Sequence, residues 1–338
     1  MPITFKRERD PNTWDDIRYV VTLFRPHAGL YPHGTISVGD ALFHADEDIV
    51  FMCTHGRRWA ADKDLPYSEV DWLEPEVVRF AGAMMMSAQF EDVYPRFYPE
   101  PQHKLVIDAE SLELAGSEIS LQIKEALLRA AEDPSSPTWV KAGWNLCTGK
   151  KAVLFDADRL ELPLVPHYYE NTSVEDYILM RTIQALIKSD MLGHHHEFQE
   201  EGCIQTFIAM EACHQMVLEG LKEMGLASPT AQDAGDWLHQ TFDEPLGVGI
   251  EGMKFFEEFY KQRIQTVHPR SRFGDSPIAP LMVDDRYHLR ESLPSILAYM
   301  VLGGHKPSFL AAIARSNMPV PNNCSYAGRE SGASPALE

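Results

Sequence analysis

The stretch CIQTFIAMEACHQMVLEGLKEM, residues 203–224, decides how the chain is read. Projected at 100° per residue, Ile204, Phe207, Ile208, Met210, Cys213, Val217, Leu218 and Leu221 cover more than half of a helix circumference. A surface helix carries one apolar stripe, so an arc this wide predicts a helix packed on several sides at the centre of a bundle. Working upstream, Thr172 and Ser173 with Glu175 and Asp176 three residues on read as a capping-box start. They predict a helix from about Asn171 to Leu192, followed by a polar loop GHHHEFQEEG. Downstream, a short helix is expected near Ala231 to Phe242. The next runs from Met253 to about Val267, with apolar spacing at Met253, Phe256, Tyr260, Ile264 and Val267. A last helix, ending near Gly303, places Leu289, Leu293, Ile296, Leu297 and Met300 on one face, with a kink or restart at Pro294.

Before Pro166 the pattern is mixed. RYVVTLF, DIVFMCT, KLVID and KAVLF are short β-branched or apolar runs bounded by Pro, Gly and Asp, which predicts strands. Helices are expected over Pro75 to Val93 and Glu118 to Ala131, the second closed by EDPSSP. The fold class predicted is therefore an α+β N-terminal domain followed by an all-α helical bundle. The domains are expected at 1–166 and 171–306, with a polar tail at 319–338 reading as disordered.

A chain of 338 residues with 44% hydrophobic residues can build a core for each part. No apolar run reaches the length of a membrane span, and no apolar segment follows the basic residues of MPITFKRERD. Five scattered cysteines without a CxxC pair fit reduced thiols, so a cytoplasmic location without membrane partners is expected. The formal net charge of -20 excludes a broad basic face for nucleic acid and requires any such contact to be local. Basic residues do gather in one span: Lys254, Lys261, Arg263, Arg270, Arg272, Arg286 and Arg290. DAESLEL after KLVID lacks the lysine a metal-dependent nuclease would place there.

Within that span, QRIQTVHPRSRFGD (Gln262 to Asp275) holds the principal candidates, Arg263 and His268. Five residues apart in a regular helix, they would point about 140° away from each other. Pro269 biases His268 out of helical angles, so it can fold back towards Arg263 at the helix end, where the macrodipole favours an imidazolium. One permanent and one titratable cation suit phosphodiester chemistry: the imidazole moves a proton while the guanidinium offsets charge at phosphorus.

An arginine and histidine at this spacing, late in an α-helical half, resemble the HEPN superfamily of helical bundles. Its RNase members carry an arginine, four to six intervening residues and a histidine. The resemblance covers roughly Ser173 to His305. It implies Arg263 and His268 as a catalytic pair and RNA cleavage through attack of the substrate's own 2′-hydroxyl, without metal or other cofactor. It also implies a homodimer in which two motif pairs face each other, and a place among toxins or antiviral-defence effectors, with an antitoxin or effector protein as a further partner. Arg270 and Arg272 would hold the RNA backbone; Asp285 and His288, with Arg272 and Asp284, would line the same edge. Other members are non-catalytic binding or dimerisation modules, and Ile264, where active members frequently carry a polar residue, favours that alternative.

A third reading starts from Glu211 and His214, an E-x-x-H pair inside the apolar arc of residues 203–224. Asp236 with His239 and Asp285 with His288 repeat a carboxylate-x-x-histidine spacing. Bundles that hold two metals use such pairs pointing inward from several helices, which makes a di-metal oxidoreductase the other enzymatic possibility. The triplet His194, His195 and His196 reads as solvated loop.

Overall fold

The computed structural model describes residues 17–57, 72–107, 118–134, 138–247 and 283–316. An N-terminal antiparallel sheet region precedes a mostly helical C-terminal half. The strands are β1 (Ile17–Phe24), β2 (Tyr31–Pro32), β3 (Gly34–Val38), β4 (Ala41–Ala45), β5 (Val50–Arg57), β6 (Pro99–Ile107) and β7 (Leu154–Phe155). The helices are α1 (Pro75–Met86), α2 (Ile119–Glu132), α3 (Thr138–Cys147), α4 (Leu164–Asn171), α5 (Tyr177–Gly193), α6 (Gln199–Glu223), α7 (Ala231–Leu238), α8 (Val283–Leu302) and α9 (Pro307–Ser316).

Five strands form one sheet in the order β3-β4-β5-β1-β6, every pairing antiparallel. Successive side chains of a strand point to opposite faces. Phe24, Phe43, Val50 and Met52 enter a core with residues of α1, α4, α5, α6 and α8. Tyr19, Val21, Leu23, Leu42, Phe51 and Cys53 enter a second core under Ile119, Ile123 and Leu127 of α2 and Cys147 of α3. Burial on both faces explains why β1 and β5 read as unbroken apolar runs rather than as alternating ones. Asp46 ties the outer layer to the sheet. It accepts the Lys124 ammonium at 2.5 Å and the backbone N–H groups of Asp48 and Ile49. These bonds hold its carboxyl well below the usual carboxylate range, against the burial that would raise it.

On the other face α1 is the innermost helix. Pro75 starts it, where a missing N–H costs nothing, and Val77, Val78, Phe80, Ala81 and Met84 to Met86 are all buried. A Cβ at Gly82 would overlap Ile183 Cδ1 of α5, so glycine sets how closely these helices approach. The helix ends at Met86 rather than continuing to Val93: Ser87 Oγ donates to the Ala83 carbonyl and Ala88 pairs with Leu160. Helix α4 spans the sequence boundary at Pro166 to Asn171. It buries Val165, Tyr168 and Tyr169, and the apolar interior runs across that boundary without a break. Asp176 caps α5, accepting from the Leu179 N–H, so the start lies at Asp176 and not at Thr172 and Ser173. The polar loop is shorter than expected, because α6 begins at Gln199.

Helices α5 and α6 form a hairpin whose contact is polar at one end, with Ser189 and Thr206 hydroxyls 2.7 Å apart and buried. Helix α8 runs through Pro294 with Leu289, Leu293, Ile296 and Leu297 buried. Among the described residues no single helix is long and apolar enough to cross a membrane; α8 and α9 pass on composition only as a pair bent by 116°.

We expect Gly82→Ala to destabilise the protein by about 1–3 kcal/mol through overpacking against Ile183. Ile183→Val in the same chain should return part of the loss in a denaturant titration. Equal, additive losses would mean that the two helices do not meet at this point.

Candidate functional site

Arg263, His268, Arg270 and Arg272 lie outside the described residues, as does the expected helix from Met253 to Val267. The elements on either side of that stretch define where it joins the fold. Before it, α7 opens with a full capping box between Thr230 and Asp233 and passes into a π-helical turn, His239–Asp243. There His239 Nδ1 lies 3.0 Å from Asp243 Oδ2. After it, α8 carries Arg286 and Arg290 into the protein, only 3% and 1% exposed.

Of the basic residues that gather in one span of the sequence, these two are therefore not available to an exposed basic face. Arg290 is bidentate to Asp190 of α5 through Nε at 3.0 Å and Nη2 at 2.6 Å, and its guanidinium lies 4.9 Å from the centre of the Tyr94 ring. Burial opposes its charge, and Asp190 outweighs it. Arg286 Nη1 donates to the Ser189 carbonyl at 3.0 Å. Arg286 occupies the space a Cβ on Gly193 would need, so any side chain at the last residue of α5 would have to displace the guanidinium. Arg286 Nε and Arg290 Nη1 are buried without a hydrogen-bond acceptor among the described residues.

The other flank of this corner is formed by the histidine triplet, of which two members pack on the sheet region. His194 caps α5 and stays exposed, while His195 Nε2 is 3.0 Å from Tyr98 Oη. Tyr98 leads into β6 and is buried; Arg25, at the end of β1, reaches it with Nη1 at 3.4 Å and lies 4.8 Å over its ring. Arg25 also holds the buried Glu100 through Nε at 3.0 Å and Nη2 at 2.7 Å. His27 is exposed beside them, its ring 6.1 Å from that of His194, which is itself 5.8 Å from Tyr98. The imidazoles of His27 and His194 titrate below the usual range. Partial burial is the larger cause in each. The charges acting on His27 are Lys150, His194 and Arg25, and those acting on His194 are His195, Arg96 and Arg25, all cationic. Sequence reading missed this corner because its members come from residues 25–27, 96–100, 150 and 194–195, with no local motif.

The second-tier candidates separate. Glu211 is exposed on α6, outside the buried arc of Cys203, Thr206, Phe207, Met210, Cys213 and Val217, whereas His214 is half-buried and its pKa is lowered by burial. With Glu211 exposed, the two do not both face inward as the E-x-x-H reading requires. Asp285 lies in α8, and His288 is exposed there. No group of three or more His, Cys, Asp or Glu side chains converges to hold a metal ion among the described residues.

A separate polar feature lies at the C-terminal end of α1. Lys306 is buried and donates to the Met86 and Ala88 carbonyls at 3.4 and 2.5 Å, capping α1 from another part of the chain. Burial lowers its pKa from 10.5 to about 8. It lines a narrow cleft with Glu291, Tyr94, Phe90 and Pro294.

In comparisons with known proteins, no family model, no curated protein and no solved structure matches this chain.

Two predictions follow from these partners. Replacing Asp190 by Asn should cost about 3–5 kcal/mol, because it strands the Arg290 charge in an apolar interior, whereas Asp190→Leu with Arg290→Met should recover most of it. A double-mutant cycle by denaturation checks this, and additivity would refute the pairing. For Lys306, the unfolded chain binds the proton more tightly between about pH 8 and pH 10.5, so this group makes stability rise with pH across that window. The rise, of order 1–3 kcal/mol, should be lost in Lys306→Met and so appear in full as a pH-dependent difference between wild type and variant; a pH-independent difference would sink the assignment.

Proposed function

We propose that the protein is a metal-independent endoribonuclease of HEPN type, acting as a homodimeric toxin or defence effector on RNA in the cytoplasm. His268 moves the proton and Arg263 offsets the charge that builds on the phosphate, while the substrate's 2′-hydroxyl attacks and leaves a cyclic phosphate. Arg270 and Arg272 hold the backbone. The observation that carries the reading is the Arg263 to His268 spacing ended by Pro269, set late in a half of the chain that is mostly helical. It is supported by the order of the helices: the α5–α6 hairpin, α7, and then α8 immediately after the stretch that bears the motif. Its start packs, through Arg286, against Gly193 and next to His194.

A second reading, a non-catalytic HEPN-like module for binding or dimerisation, is favoured by one specific observation. Arg286 and Arg290, two of the seven basic residues gathered in this span, are buried in internal contacts and cannot grip a backbone. The remaining cations must then suffice for any RNA contact in a chain of net charge -20.

Incubation of a mixed RNA pool with the full chain in EDTA separates the two. Wild type should cut and leave cyclic phosphate ends, and His268→Ala and Arg263→Ala should each lower the rate by about 10²–10⁴. A folded dimer that leaves RNA intact, or cleavage that survives both substitutions, would reject the catalytic assignment.

A further inference from the structure

We propose that His27, His194, His195 and Tyr98, with Arg25, Arg96 and Lys150, form a docking surface for single-stranded RNA at the corner between the sheet and the α5–α6 hairpin. This rests on the reading of the protein as one that handles RNA, and it adds residues other than Arg263 and His268 that hold the strand.

Three observations converge on it. The first is geometry: three imidazoles and a phenol lie with successive ring centres 5.2 to 6.3 Å apart, joined by the Tyr98 to His195 hydrogen bond. His27 and His194 present exposed ring surface, whereas Tyr98 is buried and fixed by Arg25. Bases stack on such rings whatever their sequence, and cations beside them track the phosphates. The second is charge. From the β1 end, the β6 approach, the turn after α3 and the α5 cap, the groups that act on His27 and His194 are Arg25, Arg96, Lys150 and the imidazoles themselves. Glu100, the carboxylate that meets Arg25, is buried beneath it. An acidic protein therefore turns a locally cationic corner outward. The third is economy of structure. Tyr98, Arg25 and Glu100 form a mutually bonded base that stabilises the fold, but His27 and His194 extend it to the surface with ring contacts and no side-chain hydrogen bond among the described residues.

The arrangement has a consequence that a passive surface would lack. Partial burial, and after it repulsion from neighbouring cations, keeps His27 and His194 less protonated than ordinary histidines, and a phosphate placed among them relieves the repulsion. RNA should therefore bind with uptake of protons and bind more tightly as the pH falls, since the imidazolium forms make the favourable contact.

The test uses a fluorescent 2′-O-methyl oligoribonucleotide, which cannot be cut by attack of its own 2′-hydroxyl, so that binding is read apart from cleavage. Anisotropy titrations of the full chain at about pH 6 and about pH 8 should show roughly tenfold tighter binding at the lower value. His27→Ala/His194→Ala should remove that difference. Because both side chains are exposed, the variant is expected to keep the wild-type thermal transition. Lys150→Ala should lower the slope of log affinity against log salt by about 0.7. Wild-type affinity in the double variant, an affinity independent of pH, or no binding at all would each overturn the proposal. Intact pH-dependent binding by a protein that does not cleave natural RNA would instead reject the catalytic assignment and leave the docking surface standing.

Discussion

Two arginines have to stay charged inside the protein, and the α5–α6 corner is built to let them. A guanidinium remains protonated at any accessible pH, so it cannot escape burial by losing its proton as a lysine can. Arg290 is accommodated by a bidentate carboxylate from Asp190 and the face of Tyr94, and Arg286 by a backbone carbonyl at the end of α5. The second arrangement is possible only because residue 193 has no side chain. Ser189, Asp190 and Gly193 thus fix where α8 lies and how α5 must end, and the turn that follows, His194 to Phe198, inherits its position from them. Replacing a buried ion pair by apolar groups preserves stability in many proteins, so its value here lies in what it positions.

That positioning links the two halves. The residue after the glycine is His194, and the one after that reaches Tyr98 at the threshold of β6. Tyr98 is in turn gripped by Arg25 from the end of the adjacent strand β1. A chain of direct contacts therefore runs from α8 through the end of α5 to the sheet. The same halves are joined by a continuous apolar interior in which Phe24 and Met52 share a core with Leu186, Phe207 and Leu293. Helix α4, across the apparent boundary, belongs to that interior through Val165 and Tyr168.

Elements governed by local pattern were legible. The apolar runs of β1 and β5 announced strands because helices cover both faces, and the wide arc of α6 announced a central helix because neighbours surround it. Helices α3, α4 and α9 and the β3–β4 hairpin were not seen. They are short, and the register of Val38 opposite Ala41 depends on Gly39 at φ 53, a conformation that sequence leaves optional. Misreadings fell on polar residues. Glu211 sits in the projected apolar arc, yet it is exposed, since the arc was drawn wider than the face that neighbours cover. Arg286 and Arg290 were not told apart from the other basic residues of their span, because composition cannot reveal the Ser189 carbonyl and the Asp190 carboxylate about 100 residues earlier in the chain. His194 and His196 are exposed, as the solvated-loop reading expects, whereas His195 departs from it because its partner Tyr98 is distant in sequence.

Charge explains why the corner matters in this particular protein. At a net charge of -20, long-range attraction of a polyanion is unavailable, and approach to most of the surface is opposed. Screening limits that opposition to about 8–10 Å at physiological ionic strength, so a compact group of cations can still act on what it touches. Arg25 is rendered nearly neutral by Glu100, which leaves Arg96 and Lys150 as fixed charges and the imidazoles as adjustable ones. As the docking surface proposed above, a corner of this kind would hold a strand weakly and locally, through the cations it touches and not through a field reaching across the acidic surface.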